Sequence, residues 1–242
     1  MKCYWLSKKE NKNFLWFKPK KRDLIVFFAG WSFDYKAFSN NSENYDILII
    51  YDYNDLTIPD ELKNLNTENY KNKYLISWSM GVYIAYKFRK LFQDFNRRIA
   101  INGTTTPVDD EYGIPVKMFE LTLKHAAKGL EGKFYQNVFN NTEDLELFNI
   151  TPIERSIENR VSELENLYNL IKNENEDSHC PFYDYAIVGD ADKIIPPKNQ
   201  IASHKKNNVP TIELECGHFP FYTFLWKDYI NVDRIQEYKK TI

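Results

Sequence analysis

Three side chains of this 242-residue chain have the types and surroundings that nucleophilic catalysis needs. Ser79 lies in YLISWSMGVYIAY, where an apolar run passes through one sharp turn into a helical pattern, so that its hydroxyl stands at a strand-to-helix elbow. Such a turn accepts only small side chains two residues before and after the serine, and Ser77 and Gly81 are small. S-x-S-x-G alone is equally satisfied by a strand-to-helix turn packed on small residues, so the motif needs partners. A serine hydroxyl is a weak nucleophile until a base takes its proton, and the base needs a carboxylate to orient it. In the order Ser, Asp, His, YAIVGDADKIIPP offers Asp192 three residues after Gly189, and TIELECGHFPFY offers His218 a further 26 residues on. Asp190 competes for the acid, and either aspartate also suits turn capping. His125 falls on a helical pattern and His179 and His204 in polar surroundings, so His218 is the well-placed base. The developing oxyanion needs two backbone N–H donors. Met80 supplies one and Trp31, at the end of the buried run LIVFFAGW, the second; the Trp31 indole suits either a pocket wall or ordinary core packing.

Those residues must be positioned by a sheet. Runs at Leu24–Ala29, Tyr45–Tyr51, Lys73–Trp78, Arg98–Asn102, Tyr183–Gly189 and Pro210–Glu215 are rich in β-branched and aromatic residues, and most lack alternation, as parallel strands buried on both faces do. A leading pair around Tyr4 and Leu15 suits an antiparallel edge hairpin. Met80, Ile84, Phe88 and Leu91 lie at helical spacing, and Phe221 to Tyr238 reads as a closing helix. Alternating strand and helix predict an α/β fold with a mostly parallel central sheet flanked by helices. From 104 to 178 no strand pattern occurs. Helical stripes run instead through Val116, Phe119, Leu123 and Ala126, through Leu130, Phe134 and Val138, and from Ile153 to Ile171. The expected organisation is a core of residues 1–103 and 179–242 carrying a helical lid insertion at 104–178; a plain helical layer is the alternative.

Composition narrows the function. Hydrophobic residues make up 43% and aromatics 16%, enough to fill one core and line an apolar pocket. A formal charge of −2, from 32 basic and 34 acidic side chains, argues against nucleic-acid binding. Cys3, Cys180 and Cys216 have no paired spacing, which fits free thiols and the cytoplasm. No signal peptide or membrane-length apolar run is visible, and a monomer is expected. The four histidines and three cysteines show no H-x-x-x-H or C-x-x-C spacing, and the eight glycines form no phosphate loop. No metal or other cofactor is therefore expected.

The chain resembles the short pimeloyl-acyl-carrier-protein methyl ester esterases of biotin synthesis, the BioG branch of the α/β-hydrolases. The resemblance runs through LIVFFAGWS, ILIIYDYNDL, YLISWSMGVYIA, AINGTTTPVDDEYGIPVKMFELTL, DADKIIPP and GHFPFYTF, with INGTTTPVDDEYGIP the most specific run. It implies the α/β-hydrolase fold, Ser79 as nucleophile, Asp192 and His218 as the other triad members, and Trp31 and Met80 as oxyanion donors. Ser32 stands where the group commonly has glycine, and the segment from Ser7 to Arg22 is longer than usual. The resemblance further implies hydrolysis of the methyl ester at the far end of a pimeloyl chain borne by acyl carrier protein. A generic carboxylesterase or acyl thioesterase on the same triad, and a non-catalytic hydrolase-like binding protein, stay open as alternatives. An acidic carrier requires a local basic patch. The insertion offers Lys117, Lys124, Lys128 and Lys133 against Glu120 and Glu131, lysines that an ordinary solvated helix face would also explain.

Overall fold

The computed structural model describes residues 1–9, 21–38, 44–173, 181–231 and 233–235. The six non-alternating runs become β2 (Asp23–Phe28), β3 (Tyr45–Tyr51), β4 (Lys73–Trp78), β5 (Arg97–Ile101), β6 (Tyr185–Gly189) and β7 (Thr211–Leu214), preceded by β1 (Lys2–Ser7). They form one sheet in the order β1-β3-β2-β4-β5-β6-β7. Every pairing from β3 to β7 is parallel. Leu24 to Phe28 and Ile47 to Ile50 are wholly buried, which is why these strands read as unbroken apolar runs.

Helices α1 (Asp60–Lys63) and α2 (Met80–Lys87) follow β3 and β4. α3 (Val116–Lys124), α4 (Ala126–Leu130), α5 (Lys133–Val138), α6 (Thr142–Ile150) and α7 (Ile157–Lys172) all lie between β5 and β6. α8 (Pro197–Lys206) precedes β7 and α9 (Trp226–Ile230) follows it.

β1 is antiparallel and pairs with β3, Cys3 facing Ile50; the hairpin partner expected around Leu15 lies outside the described residues. Three expectations are corrected. The closing helix starts at Trp226 rather than Phe221, because most of Gly217 to Phe224 is drawn into the core as irregular chain; α9 ends at Ile230, residues 233–235 are again helical, and 232 and 236–238 lie outside the described residues. The stripe from Met80 stops at Lys87, where a tighter turn at Arg89–Phe92 leaves Leu91 on the surface. The face through Leu130, Phe134 and Val138 is broken at Glu131 and Gly132, which end α4 and cap α5. Helix α6 has little apolar periodicity. Its signal was the start: Asn141 accepts the Asp144 N–H, with Glu143 and Asp144 in the first turn.

α8 holds the chain leaving β5. His204 is buried, and its Nε2 lies 2.9 Å from the Gly103 carbonyl. Burial pulls its imidazole down to about 4, against the opposing effect of that hydrogen bond. The folded state thus resists a proton that the unfolded chain accepts near pH 6.5, so stability is full above that value and declines as the pH falls towards 4. Denaturant titrations at pH 7 and pH 5 should show a loss of about 2 kcal/mol from this group. His204→Gln should flatten that part of the profile; an equal decline in both proteins would exonerate His204.

Candidate active site

Ser79 joins β4 to α2 with φ 56° and ψ −127°, a conformation costly for any residue but glycine. Its surroundings enforce it. The Ser79 N–H donates to the Ile101 carbonyl at 3.0 Å, and the Ser79 carbonyl accepts from Val82 N–H at 3.0 Å. A Cβ on Gly81 would stand 2.4 Å from the Phe28 carbonyl oxygen, and one on Gly103 2.4 Å from that of Ser79. Chain this close admits no side chain, which is the physical content of the small-residue rule at the elbow.

The loops after β6 and β7 bring the other two residues in. His218 Nδ1 lies 2.8 Å from Asp192 Oδ2, and its Nε2 lies 2.9 Å from Ser79 Oγ. Asp190 is exposed, its N–H spent on the Leu214 carbonyl, so Asp192 is the aspartate that meets the histidine. Asp192 is buried and fully hydrogen-bonded: Oδ1 accepts the Ile194 and Ile195 N–H groups at 2.8 and 3.0 Å, and Oδ2 also accepts Gln200 Nε2 at 2.8 Å. Gln200 escaped the sequence reading, since nothing marks it out among the polar residues of α8.

Asn102, at the head of the INGTTTP run, explains part of that run. Its carboxamide donates to the Gly217 and His218 carbonyls at 2.8 and 3.0 Å and accepts the Gly189 N–H at 2.6 Å, stapling the acid loop to the base loop. Trp78 Nε1 donates to the same His218 carbonyl at 2.7 Å.

The Trp31 and Met80 N–H groups make no hydrogen bond to the described residues. A Cβ on the preceding Gly30 would lie 3.0 Å from Ser79 Cβ, so this loop packs directly on the serine. Around Ser79 and His218 opens a cavity of about 490 Å³, walled by Trp31, Met80, Met118, Phe119 and Leu164, with the exposed Lys128, Lys133 and Lys193 also lining it. His125 lines it as well and is exposed, whereas His204 is structural; His179 and Cys180 lie outside the described residues. Burial pushes the Cys216 thiol up to about 12, which leaves it unreactive beside His218. Among the described residues no cluster of His, Cys, Asp and Glu is grouped to hold a metal ion, and no helix is long and apolar enough to cross a membrane.

Residues 13–229 match the family model described as "Pimeloyl-ACP methyl esterase BioG". A malonyl-[acyl-carrier protein] O-methyltransferase of Bacteroides fragilis is 34% identical over 78% of this chain; the chain spans 38% of that relative's length. An uncharacterised protein of Haemophilus influenzae is 30% identical over 83% of this chain and 90% of its own. The crystal structure of BioG from Haemophilus influenzae superposes with a TM-score of 0.75 at 28% identity, covering 96% of this chain and 100% of that one. An esterase from Exiguobacterium antarcticum shares the fold, with a TM-score of 0.60 at 16% identity over 91% of this chain and 90% of its own. Fold and family match together define a carboxylic ester hydrolase of the α/β-hydrolase class. Within that class, the chain belongs to the pimeloyl-ACP methyl esterase BioG family.

Ser77 tests the elbow. It is fully buried and lies in register between Phe28 and Ala100 of the neighbouring strands. Ser77→Gly should retain activity on a short aryl ester, whereas Ser77→Val should cost about 1–3 kcal/mol in overpacking and much of the activity. Inactivity of a folded glycine variant would mean that the hydroxyl, not its size, matters.

Proposed function

We propose that this protein hydrolyses the methyl ester of a pimeloyl chain carried by acyl carrier protein, using Ser79, His218 and Asp192 as its triad. The observation that carries this reading is the placement of His218 between Asp192 at 2.8 Å and Ser79 at 2.9 Å, inside an apolar cavity. His218 Nε2 takes the Ser79 proton as Oγ attacks the ester carbonyl, and the Trp31 and Met80 N–H groups hold the oxyanion. His218 then returns the proton to the leaving methanol. A water activated by the same imidazole releases the acid. Asp192, hydrogen-bonded to Nδ1, fixes the tautomer that presents Nε2 to the serine. No cofactor enters these steps. The apolar walls support a methyl ester over the free carboxylate, which would lose its hydration there. The relative from Bacteroides fragilis bears on the substrate too: a malonyl-carrier O-methyltransferase makes a methyl ester on a carrier-bound acid, the kind of group this site would remove.

In this reading residues 104–178 act as a lid on a core of 1–103 and 179–242, admitting the methyl end of the substrate while the carrier stays outside. Methyl pimeloyl carrier protein and a short aryl ester, offered in parallel, test it. The carrier-linked ester should show the higher kcat/KM, and Ser79→Ala should abolish turnover of both together with labelling by a serine-directed phosphonate. Asp192→Asn should lower kcat by roughly 10³- to 10⁴-fold. Equal preference for the aryl ester would point to a generic carboxylesterase. Turnover in Ser79→Ala would end the triad assignment.

Lys117, Lys124 and Lys128 are exposed on α3 and α4, flanking the exposed apolar Met118 and Leu121. In the proposed reaction they meet the acidic carrier. Reversing Lys117 and Lys124, which do not line the cavity, to glutamate should lower kcat/KM for the carrier-linked ester, more at low than at high salt, and leave a small methyl ester nearly unaffected. Equal losses on both substrates would indicate a damaged lid, and no loss on either would place the carrier elsewhere.

A further inference from the structure

The loop after β2, which carries Trp31, is tied to the segment between β5 and β6 by contacts that include four from Trp31 to Phe33. Trp31 Nε1 donates to the Arg160 carbonyl at 2.7 Å, and the Ser32 N–H donates to Glu163 Oε2 at 3.2 Å. Ser32 Oγ lies 3.3 Å from the Tyr135 hydroxyl, and Arg155 Nη1 donates to the Phe33 carbonyl at 3.1 Å. Glu163 is the centre of this arrangement. Its other oxygen accepts the Tyr53 N–H from the loop after β3 at 2.7 Å, and Arg155 stands 2.8 Å away, shared with Asp52 at 3.3 Å.

Glu163 is wholly buried on α7, beside the equally buried Leu164 and Leu167. A buried carboxylate is an expensive way to hold a helix on a protein, because a well-packed apolar residue does the same at no loss of stability. What leucine lacks is an acceptor for two loop N–H groups. Ser32 makes that acceptor consequential: its φ of 71° lies in the left-handed region, so the peptide after Trp31 is turned against the ordinary preference of a serine. The Ser32 N–H is the handle by which that turn is held.

We infer that Glu163 is a positioning residue for the oxyanion loop: from within the helical insertion it fixes the peptide following Trp31, and so aims the Trp31 N–H at the developing negative charge. The inference rests on the proposed roles of Ser79 and Trp31. Arg155 is the counter-ion beside it, opposing the burial that pushes the Glu163 carboxyl above its ordinary range. Helix α7 is then the part of the proposed lid that is fixed to the catalytic frame.

The test separates oxyanion geometry from mere packing. Phenylboronic acid adds to a reactive serine as a tetrahedral anion whose oxygen occupies the oxyanion site, so its affinity reports on the donors directly. Glu163→Gln keeps size and shape but turns an amide donor towards Ser32, Tyr53 or Arg155. Active sites are counted by phosphonate titration. The expected result is a kcat on a short ester lowered by roughly 10- to 100-fold, KM nearly unchanged, and boronate affinity weakened by the same factor as kcat/KM. Should that variant not fold, Glu163→Met combined with Arg155→Met removes both charges in favour of apolar bulk and should show the same pattern. A folded variant with wild-type kcat and boronate affinity would overturn the inference. So would a higher KM with boronate affinity intact, which would assign Glu163 to cavity shape. A wild-type protein indifferent to the boronate, or a Ser79→Ala variant that still turns over, would instead bring down the site assignment, and the inference with it.

Discussion

A serine at φ 56° between a strand and a helix can exist only where its neighbours leave it no alternative, and three bare glycine backbones do that here. Gly81 lets α2 rest on the Phe28 carbonyl, Gly103 lets the chain leaving β5 pass over the Ser79 carbonyl, and Gly30 brings the loop after β2 against the serine itself. These contacts require β2 and β5 to be the two neighbours of β4, as the sheet order makes them. The place of β4 between β2 and β5 is therefore a condition of the same close approaches that hold the serine in its turn.

The histidine is held by a different means. Its segment is irregular chain, so its place depends on side chains: Asn102 and Trp78 grip the His218 carbonyl, and the Trp78 ring lies 5.3 Å from the imidazole. Phe219 stacks on Phe33 and Phe38 at 5.6 and 5.7 Å, and Phe221 meets Phe38 and Trp78 edge-on. Part of the high aromatic content is thus concentrated behind the catalytic edge, where large rigid rings fix a loop at low entropic cost.

The strands, their parallel pairing and the meeting of Ser79 and Asp192 at His218 are legible because each depends on local pattern: unbroken apolar runs, a small-residue turn, a loop residue after a strand end. What stayed hidden depends on distant chain. The closing helix starts later than its apolar spacing predicts because the pull of the aromatic cluster on Phe219 and Phe221 outweighs helical periodicity, and no window of sequence contains Phe33 or Trp78 alongside them. Nothing in the local sequence distinguishes Gln200 and Glu163 from surface polars on helices, and only the fold turns them inward. Ser32, noted as a departure from glycine, is the reverse case: the sequence marked the position, and the left-handed φ gives the reason glycine suits it.

β5 and β6 are adjacent, with Ile99 opposite Tyr185, so the long connection between them leaves the sheet and returns to it at neighbouring positions. It is a closed excursion whose length the sheet does not feel, and such connections can be exchanged between homologues without altering strand register. The salt bridge and hydrogen bonds of Glu163 place a condition on that freedom. A graft that brings its own cavity walls must also bring a buried acceptor for Ser32 and Tyr53, or the receiving sheet keeps its triad and loses the loop beside it.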